Sequence, residues 1–424
     1  MEKEYLKRLI YEYNPQLMGK KIELPRLKRD LYFKLKKWLK KRQIIAIVGL
    51  RRTGKTTIMK QLMQNLEKAF FFSFDEEETQ TKEALVFIID FLLKNLGAKY
   101  IFLDEVHYVK DWQGVLKRYY DTKNVKFIIS GSESLEIKKA KESLAGRIVT
   151  FKLETLSFKE YLELRGKKIA KETEIKKIYE KTFYEKEFLE QEFLNYLYNG
   201  AFPEIVNETD DEIIKKYINE LVVKKIIYRD IPRIFEIRRK DLLLSLFNYV
   251  CNNSANLFEI KNLCNIFKAD YETITNYLFY LQSAFLIKTS ELYSKSIAKR
   301  IRKNKKIYVS HPSIAFAVLG YKREMIIEKI LGQYVESLFG SEFFWRDKHK
   351  NEVDIVLDGK PIEVKYKNNI GKEDLKGILR FMKVFKSREG VIITKDIFKE
   401  EEFQSKKILL VPAWLFSLSS QISS

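Results

Sequence analysis

The chain has 424 residues, 46% of them hydrophobic and only 7 of them proline, which excludes a disordered chain and leaves room for roughly two to four domains. Two cysteines, Cys251 and Cys264, exclude a disulfide framework and a zinc-finger spacing. No apolar stretch reaches the roughly 20 residues of a bilayer span, and the first residues show no secretory pattern, so a cytoplasmic chain with no membrane partner is expected.

The charge points to a partner. With 79 Lys+Arg against 58 Asp+Glu, the formal net charge is +21. Such an excess favours a polyanion, because phosphate neutralisation releases counterions. Where the charge clusters decides what the partner is.

In chain order, IIAIVGLRRTGKTTIMKQLMQNL (44–66) reads as a buried strand, a loop and an amphipathic helix. The loop is a complete G-x4-G-K-T, with Gly49, Leu50, Arg51, Arg52, Thr53, Gly54, Lys55, Thr56 and Thr57 as candidate nucleotide contacts. Glycines let the backbone turn its N–H groups around phosphate, and the helix N-terminus adds its dipole. Lys55 is placed for the β- and γ-phosphates and Thr56 for Mg²⁺, so ATP and Mg²⁺ are the expected cofactors. KYIFLDEVH (99–107) is a continuous apolar run, as a buried parallel strand should be, ending in Asp104 and Glu105. Asp104 is expected to hold the Mg²⁺ through water, and Glu105 to polarise the attacking water. VKFIIS (125–130), AFFFSF (69–74) and IVTFKL (148–153) supply three more strands. Five strands alternating with helices predict an α/β fold with a doubly wound parallel sheet.

The paired Asp104-Glu105, with the polar Ser130 ending a further strand, resembles the AAA-type branch of P-loop ATPases. DEVHYVKDWQGVLKRYYD, SGSES, AGRIVTFKLETLSFKEYL and NGAFPEIV resemble more closely a prokaryotic group in which this ATPase precedes a winged helix and a PD-(D/E)XK nuclease-like domain. That resemblance implies that Ser130 takes the first sensor position, where Asn is more usual. It also makes Arg147 a candidate arginine finger, in cis or in trans, and a finger acting in trans implies a homo-oligomer or an ATP-dependent dimer.

Residues 156–240 carry Leu, Lys, Glu and Tyr at helical spacing and fit a helical lid after an ATPase core spanning 1–155. From 241 to 318 the pattern changes to three short helices and a hairpin. Asn256 and Asp270 stand at N-cap positions, and Ile274, Tyr277, Leu278 and Leu281 form one apolar face. From Lys288 to Lys306 lie eight basic residues and one acid, Glu291. This reads as the basic wing of a winged helix, with Lys295, Lys299, Arg300, Arg302, Lys303, Lys305 and Lys306 as candidate DNA contacts. Docking of a protein partner is the alternative use of such a module.

The last part, 319–424, opens with a helix carrying Glu336 and continues in strand-like segments. In EVDIVLDGKPIEVKYK (352–367), Glu363 and Lys365 are two apart and share a strand face, with Asp354 on the strand before. Two convergent carboxylates would hold Mg²⁺ and Lys365 would serve the attacking water. The acid followed after nine residues by E-x-K resembles the PD-(D/E)XK nucleases, and Glu336 matches their helical acid. Two readings stay open: a Mg-dependent ATPase that binds DNA and cleaves it at this site, or an ATP-controlled DNA- or protein-binding switch that does not cut.

Overall fold

The structure is a computed structural model that describes residues 3–131, 143–169, 172, 174–297, 300, 304–325, 328–403 and 405–419. The chain divides into two compact units, Met1–Glu154 and Thr155–Ser424.

In the first unit, β1 (Ile44–Val48), β2 (Ala69–Ser73), β3 (Tyr100–Asp104), β4 (Lys126–Gly131) and β5 (Ile148–Lys152) form one sheet in the order β2-β3-β4-β1-β5. All neighbours are parallel, as the continuous apolar runs require of strands covered on both faces. Helices α1 (Lys3–Tyr13), α2 (Asp30–Trp38), α3 (Lys55–Met63), α4 (Lys82–Leu96) and α5 (Trp112–Thr122) accompany them. On one face Leu35, Ile58, Met59 and Leu62 from α2 and α3 pack with Ile45, Ile47, Phe71, Phe102 and Ile128. The outer edge of the sheet, at β2, is met by a side chain. Buried Asn14 donates to the Phe71 carbonyl (2.8 Å) and accepts from the Phe71 N–H (2.8 Å), as a neighbouring strand would.

Two consequences of a parallel sheet position the chemistry. The C-terminal ends of β1, β3 and β4 meet at one rim, where ligands of such sheets bind. The 49–54 loop leaves β1 at that rim and turns into α3. Gly49 has φ +152°, and a Cβ there would run into the Leu153 carbonyl, so the loop can pass β5 closely only with glycine.

The second unit begins with helices, Phe158–Leu164, Ile175–Thr182 and Lys186–Asn199 among them, and a stretch over Tyr217–Asp230 that is partly wound as π-helix. Lys240–Asn252, Ile260–Phe267 and Tyr271–Ser283 are the three helices expected after 241. Asp270 caps the third, accepting from Thr273 N at 2.8 Å, and Ile274, Tyr277, Leu278 and Leu281 are buried as their spacing predicts. Asn256 caps nothing. It precedes a short strand, β6 (Leu257–Phe258), and the second helix starts only after Glu259.

Strands β7 (Ile287–Leu292) and β8 (Lys305–Val309) follow, and β6, β8 and β7 are antiparallel neighbours. The sheet does not stop at 318, where a domain boundary was expected. β9 (Phe343–Arg346) pairs in parallel with β7, and β10 (Glu352–Val353) adds to β9, for the order β10-β9-β7-β8-β6. An unpaired β7 edge would leave its N–H and C=O groups without partners, and the later segment satisfies them. The chain then passes through Asp354 into a third sheet of β11 (Ile355–Leu357), β12 (Lys360–Val364), β13 (Glu389–Thr394), β14 (Lys399–Phe403) and β15 (Lys406–Pro412), in the order β11-β12-β13-β15-β14. The helix Lys376–Phe385 covers it, with Ile378 and Met382 against Ile392, Ile408 and Leu410. Among the described residues no helix is long and apolar enough to cross a membrane.

Candidate functional site

At the rim of the first sheet, Lys55 starts α3 behind Gly54, whose φ of +97° makes the turn. The Lys55 ammonium is buried against its own loop, donating to the carbonyls of Gly49 (3.0 Å) and Leu50 (3.2 Å). Thr53 closes the loop by donating to the Leu50 carbonyl at 2.8 Å, and buried Arg29 donates to the Thr53 carbonyl at 2.9 Å. The start of α3 faces the loop, and a helix N-terminus favours an anion through its N–H groups and dipole.

Asp104 ends β3 beside this loop. The Thr56 hydroxyl donates to its Oδ2 at 2.6 Å, and the Ser130 hydroxyl, from the end of β4, donates to its Oδ1. Ser130 also accepts from the Glu105 N–H at 3.1 Å. One buried hydroxyl thus holds both acids of the pair. Burial first, and then Glu105 beside it, push the Asp104 carboxyl above its usual range, while the hydroxyls of Ser130 and Thr56 and the Lys55 charge pull it back. A hydroxyl and a carboxylate in contact at the head of a phosphate-binding loop are a hard-oxygen donor set that suits Mg²⁺, so Thr56 and Asp104 fit the ion expected of them.

Glu105 has φ +52°, a left-handed backbone that costs a non-glycine residue of order 1 kcal/mol. This turn separates the two acids, aiming Asp104 at Thr56 and Glu105 elsewhere. Glu105 Oε2 lies 3.3 Å from Nδ1 of the buried His107. That contact was not legible in the sequence, because it is made across a left-handed turn that nothing in Asp-Glu-Val-His announces.

Arg147 sits at the other end of the sheet. Its carbonyl accepts from Ile44 N, the first residue of β1, and its guanidinium grips Asp121 at 2.9 and 3.2 Å. Four strand steps of roughly 3.3 Å separate Ile44 from the phosphate-loop rim, about 13 Å in all, which rules out the cis version of the finger.

The second unit gathers the acids differently from the expectation. Glu336, Glu352 and Asp354 converge, but on an ammonium. Lys306 Nζ lies 2.8 Å from Glu336 Oε1, 2.6 Å from Glu352 Oε1 and 3.1 Å from Asp354 Oδ1. Asp354 Oδ2 accepts from Val364 N at 2.9 Å, and Glu363 Oε1 is paired with Lys365 at 2.7 Å. Burial first and Asp354 second push both Glu336 and Glu363 up to about 8. Among the described residues no three His, Cys, Asp or Glu side chains gather as a metal would require. The arrangement of Glu336, Asp354 and Glu363 therefore does not fit the Mg²⁺ expected there.

Lys306 is also a correction to the DNA-contact set. It is 2% exposed and cannot reach a phosphate. Adjacent strand residues face opposite sides, so Lys305 and Lys306 on β8 cannot both point to solvent. Lys305 stays outside and pairs with Glu291 at 2.8 Å. Lys295 is exposed, and half-buried Arg300 donates to the Ser294 carbonyl at 2.7 Å. Lys299, Arg302 and Lys303 lie outside the described residues. Glu352, which the sequence reading passed over, shared one signal with Asp354: the two are two apart in a strand-like stretch.

A family profile described as an AAA domain matches residues 41–162. Two profiles described as domains of unknown function, DUF8612 and DUF4143, match 190–324 and 324–416. An uncharacterized protein of Methanocaldococcus jannaschii is 29% identical over 89% of this chain and 88% of its own length. A second from the same organism is 26% identical over 84% and 82%. Among solved structures, a signal transduction ATPase with a tetratricopeptide repeat sensor from Pyrococcus horikoshii is 14% identical with a TM-score of 0.26, covering 74% of this chain. This chain spans 45% of that protein's length. The AAA profile and the site geometry agree: the first unit carries an AAA-type P-loop ATPase domain.

Proposed function

We propose that the protein is a Mg²⁺-dependent ATP hydrolase whose nucleotide state controls a DNA-binding second unit, without phosphodiester cleavage. The observation that carries the hydrolase reading is the hydrogen-bonded set Thr56–Asp104–Ser130–Glu105 beside the phosphate loop. Mg²⁺ bound there supplies charge neutralisation of the phosphates. Thr56 and Asp104 are the residues that would hold it. Lys55 exchanges its two loop carbonyls for phosphate oxygens, so its charge is already buried at the position where anions arrive. Glu105, set apart by its left-handed turn, accepts the proton of the attacking water.

The second unit supports a winged-helix reading through its order of helix, short strand, two helices and hairpin, with basic residues concentrated on the hairpin. Tyr271 and Thr275 are exposed on the third helix, where a groove-reading helix would present them. The helix carrying Glu336 and the strands that follow it support a PD-(D/E)XK-like reading of the 319–424 segment. Its acids, however, are committed to Lys306 and Lys365, which favours the non-cutting version.

Nucleotide binding and hydrolysis of two variants test the ATP site. Lys55→Ala should lose ATP binding. Glu105→Gln should bind ATP as the wild type does and turn over slowly, because the phosphate contacts persist while proton acceptance is lost. Wild-type turnover by Glu105→Gln would show that this base is misassigned.

A further inference from the structure

We propose that Lys306 is the resident cation of the carboxylate cluster in the second unit, its ammonium filling the position at which Glu336, Glu352 and Asp354 would otherwise meet a divalent metal. The inference goes beyond the ATPase reading and does not depend on it.

The geometry matches an ammonium and not a small dication. A lysine ammonium has three N–H donors, and three carboxylate oxygens from three different side chains surround Nζ at 2.6, 2.8 and 3.1 Å. Those are hydrogen-bond lengths. Mg²⁺ demands oxygens at roughly 2.1 Å, so the acids can meet a dication only by closing in once the ammonium has left. The acids arrive from separate elements: Glu336 from the helix Glu328–Phe339, Glu352 from β10, and Asp354 from the junction of β10 and β11. Lys306 reaches them from β8, a strand paired on both sides by β6 and β7. Its side chain is 3% exposed, and a buried charge of this kind persists only when paired.

The remaining charges are balanced in the same way. Arg346 stands 3.4 Å from Glu352, and Lys365 2.7 Å from Glu363. Tyr308, two residues along β8 on the same face as Lys306, donates to Glu336 Oε1 at 3.3 Å. β8 thus presents to the acids both a cation and a hydroxyl. Among the described residues one acceptor of the cluster is left over: Glu363 Oε2 is buried without a hydrogen-bond partner. The cluster retains acidic capacity that a metal could use, but only once the lysine has gone.

The test is Mn²⁺ binding to the full chain without nucleotide, followed by electron paramagnetic resonance and by thermal unfolding. The wild type should show no Mn²⁺ site that Asp354→Asn removes. Lys306→Ala should gain a single site, with a melting temperature that rises with Mn²⁺ concentration by mass action. Adding Asp354→Asn to Lys306→Ala should abolish the gain. Lys306→Arg, which keeps the positive charge, should gain nothing. A wild-type Mn²⁺ site lost in Asp354→Asn would overturn the proposal, and so would a folded Lys306→Ala protein that binds no more Mn²⁺ than the wild type. The comparison of wild type with Asp354→Asn decides the matter even if Lys306→Ala does not fold.

Discussion

Replacing Ser130 by Ala should damage the ATP site more than its loss of one oxygen implies. Ser130 is completely buried, and its hydroxyl serves two partners, donating to Asp104 Oδ1 and accepting from Glu105 N. Ser130→Ala leaves both without that partner, and no water can enter a site with zero exposure unless the site rearranges. A buried polar group deprived of its partner costs about 1–3 kcal/mol, so the first unit should lose about 2–6 kcal/mol for the two. The Asp104 carboxyl, already pushed up by burial, rises further without this donor and gives up its proton to a metal less readily. Loss of a residue that orients a metal ligand costs roughly 10–100-fold in affinity or activity. The assay is steady-state ATP hydrolysis across Mg²⁺ concentrations, with urea unfolding of the same preparation. The apparent Mg²⁺ requirement should rise and turnover should fall. Ser130→Cys, close in size with a weaker donor, should lie between. A Ser130→Ala protein with unchanged Mg²⁺ dependence and stability would refute the idea that one hydroxyl carries both acids.

Three further outcomes follow from the same geometry. Arg147 stands too far from its own phosphate loop, so Arg147→Ala should lower turnover by roughly 10³-fold only if a second copy supplies the finger; activity per molecule should then climb with protein concentration, and a concentration-independent monomer would end the finger reading. If Lys295, Arg300 and Lys305 each neutralise one phosphate, replacing all three by Ala should flatten the slope of log affinity against log salt for duplex DNA by about 2.7, measured by fluorescence anisotropy; an unchanged slope places the DNA path elsewhere. His311 is fully buried, its Nδ1 accepts from Ser313 N at 3.2 Å, and burial first, with Lys288 second, lowers its pKa to about 3. Between that value and the ordinary 6.5 the unfolded chain binds the extra proton, so stability falls as pH falls, by about 1.4 kcal/mol per unit. Wild type should lose about 2 kcal/mol from this group between pH 6.5 and pH 5, and His311→Asn, which can still cap the helix Pro312–Leu319, should not; equal pH dependence of the two in urea unfolding would contradict the assignment.

The first unit was legible because its signals are local. Each strand of the parallel sheet is a short apolar run that needs no partner to be recognised, and all five appear where the runs lie. The phosphate loop is contiguous, and its glycines meet a backbone requirement visible at Gly49 and Gly54. Legibility ends where the chain departs from regular backbone. The left-handed Glu105 redirects one acid of an adjacent pair, and nothing in Asp-Glu-Val-His announces that turn. The finger at Arg147 is implied by the family resemblance, which places a basic residue after the sensor strand. Which end of the sheet that place occupies depends on the direction of β5 beside β1, a property of the assembled sheet.

In the second unit the failure has a single physical cause: charge pairing between residues far apart in sequence. Lys306 belongs to a basic run by sequence and to an acidic cage by structure, 30 residues from Glu336 and 48 from Asp354. Local charge density counts it as a surface cation. The pleat assigns Lys305 and Lys306 to opposite faces, and one of the two must point inward. An inward, charged lysine needs partners, and in EVDIVLDGKPIEVKYK it finds Asp354, one of the two acids that look like metal ligands, together with Glu352. Both expectations therefore fail at one residue. The basic hairpin loses a phosphate contact and the acids lose their room for a metal, because the same ion pairs satisfy the lysine and the carboxylates together.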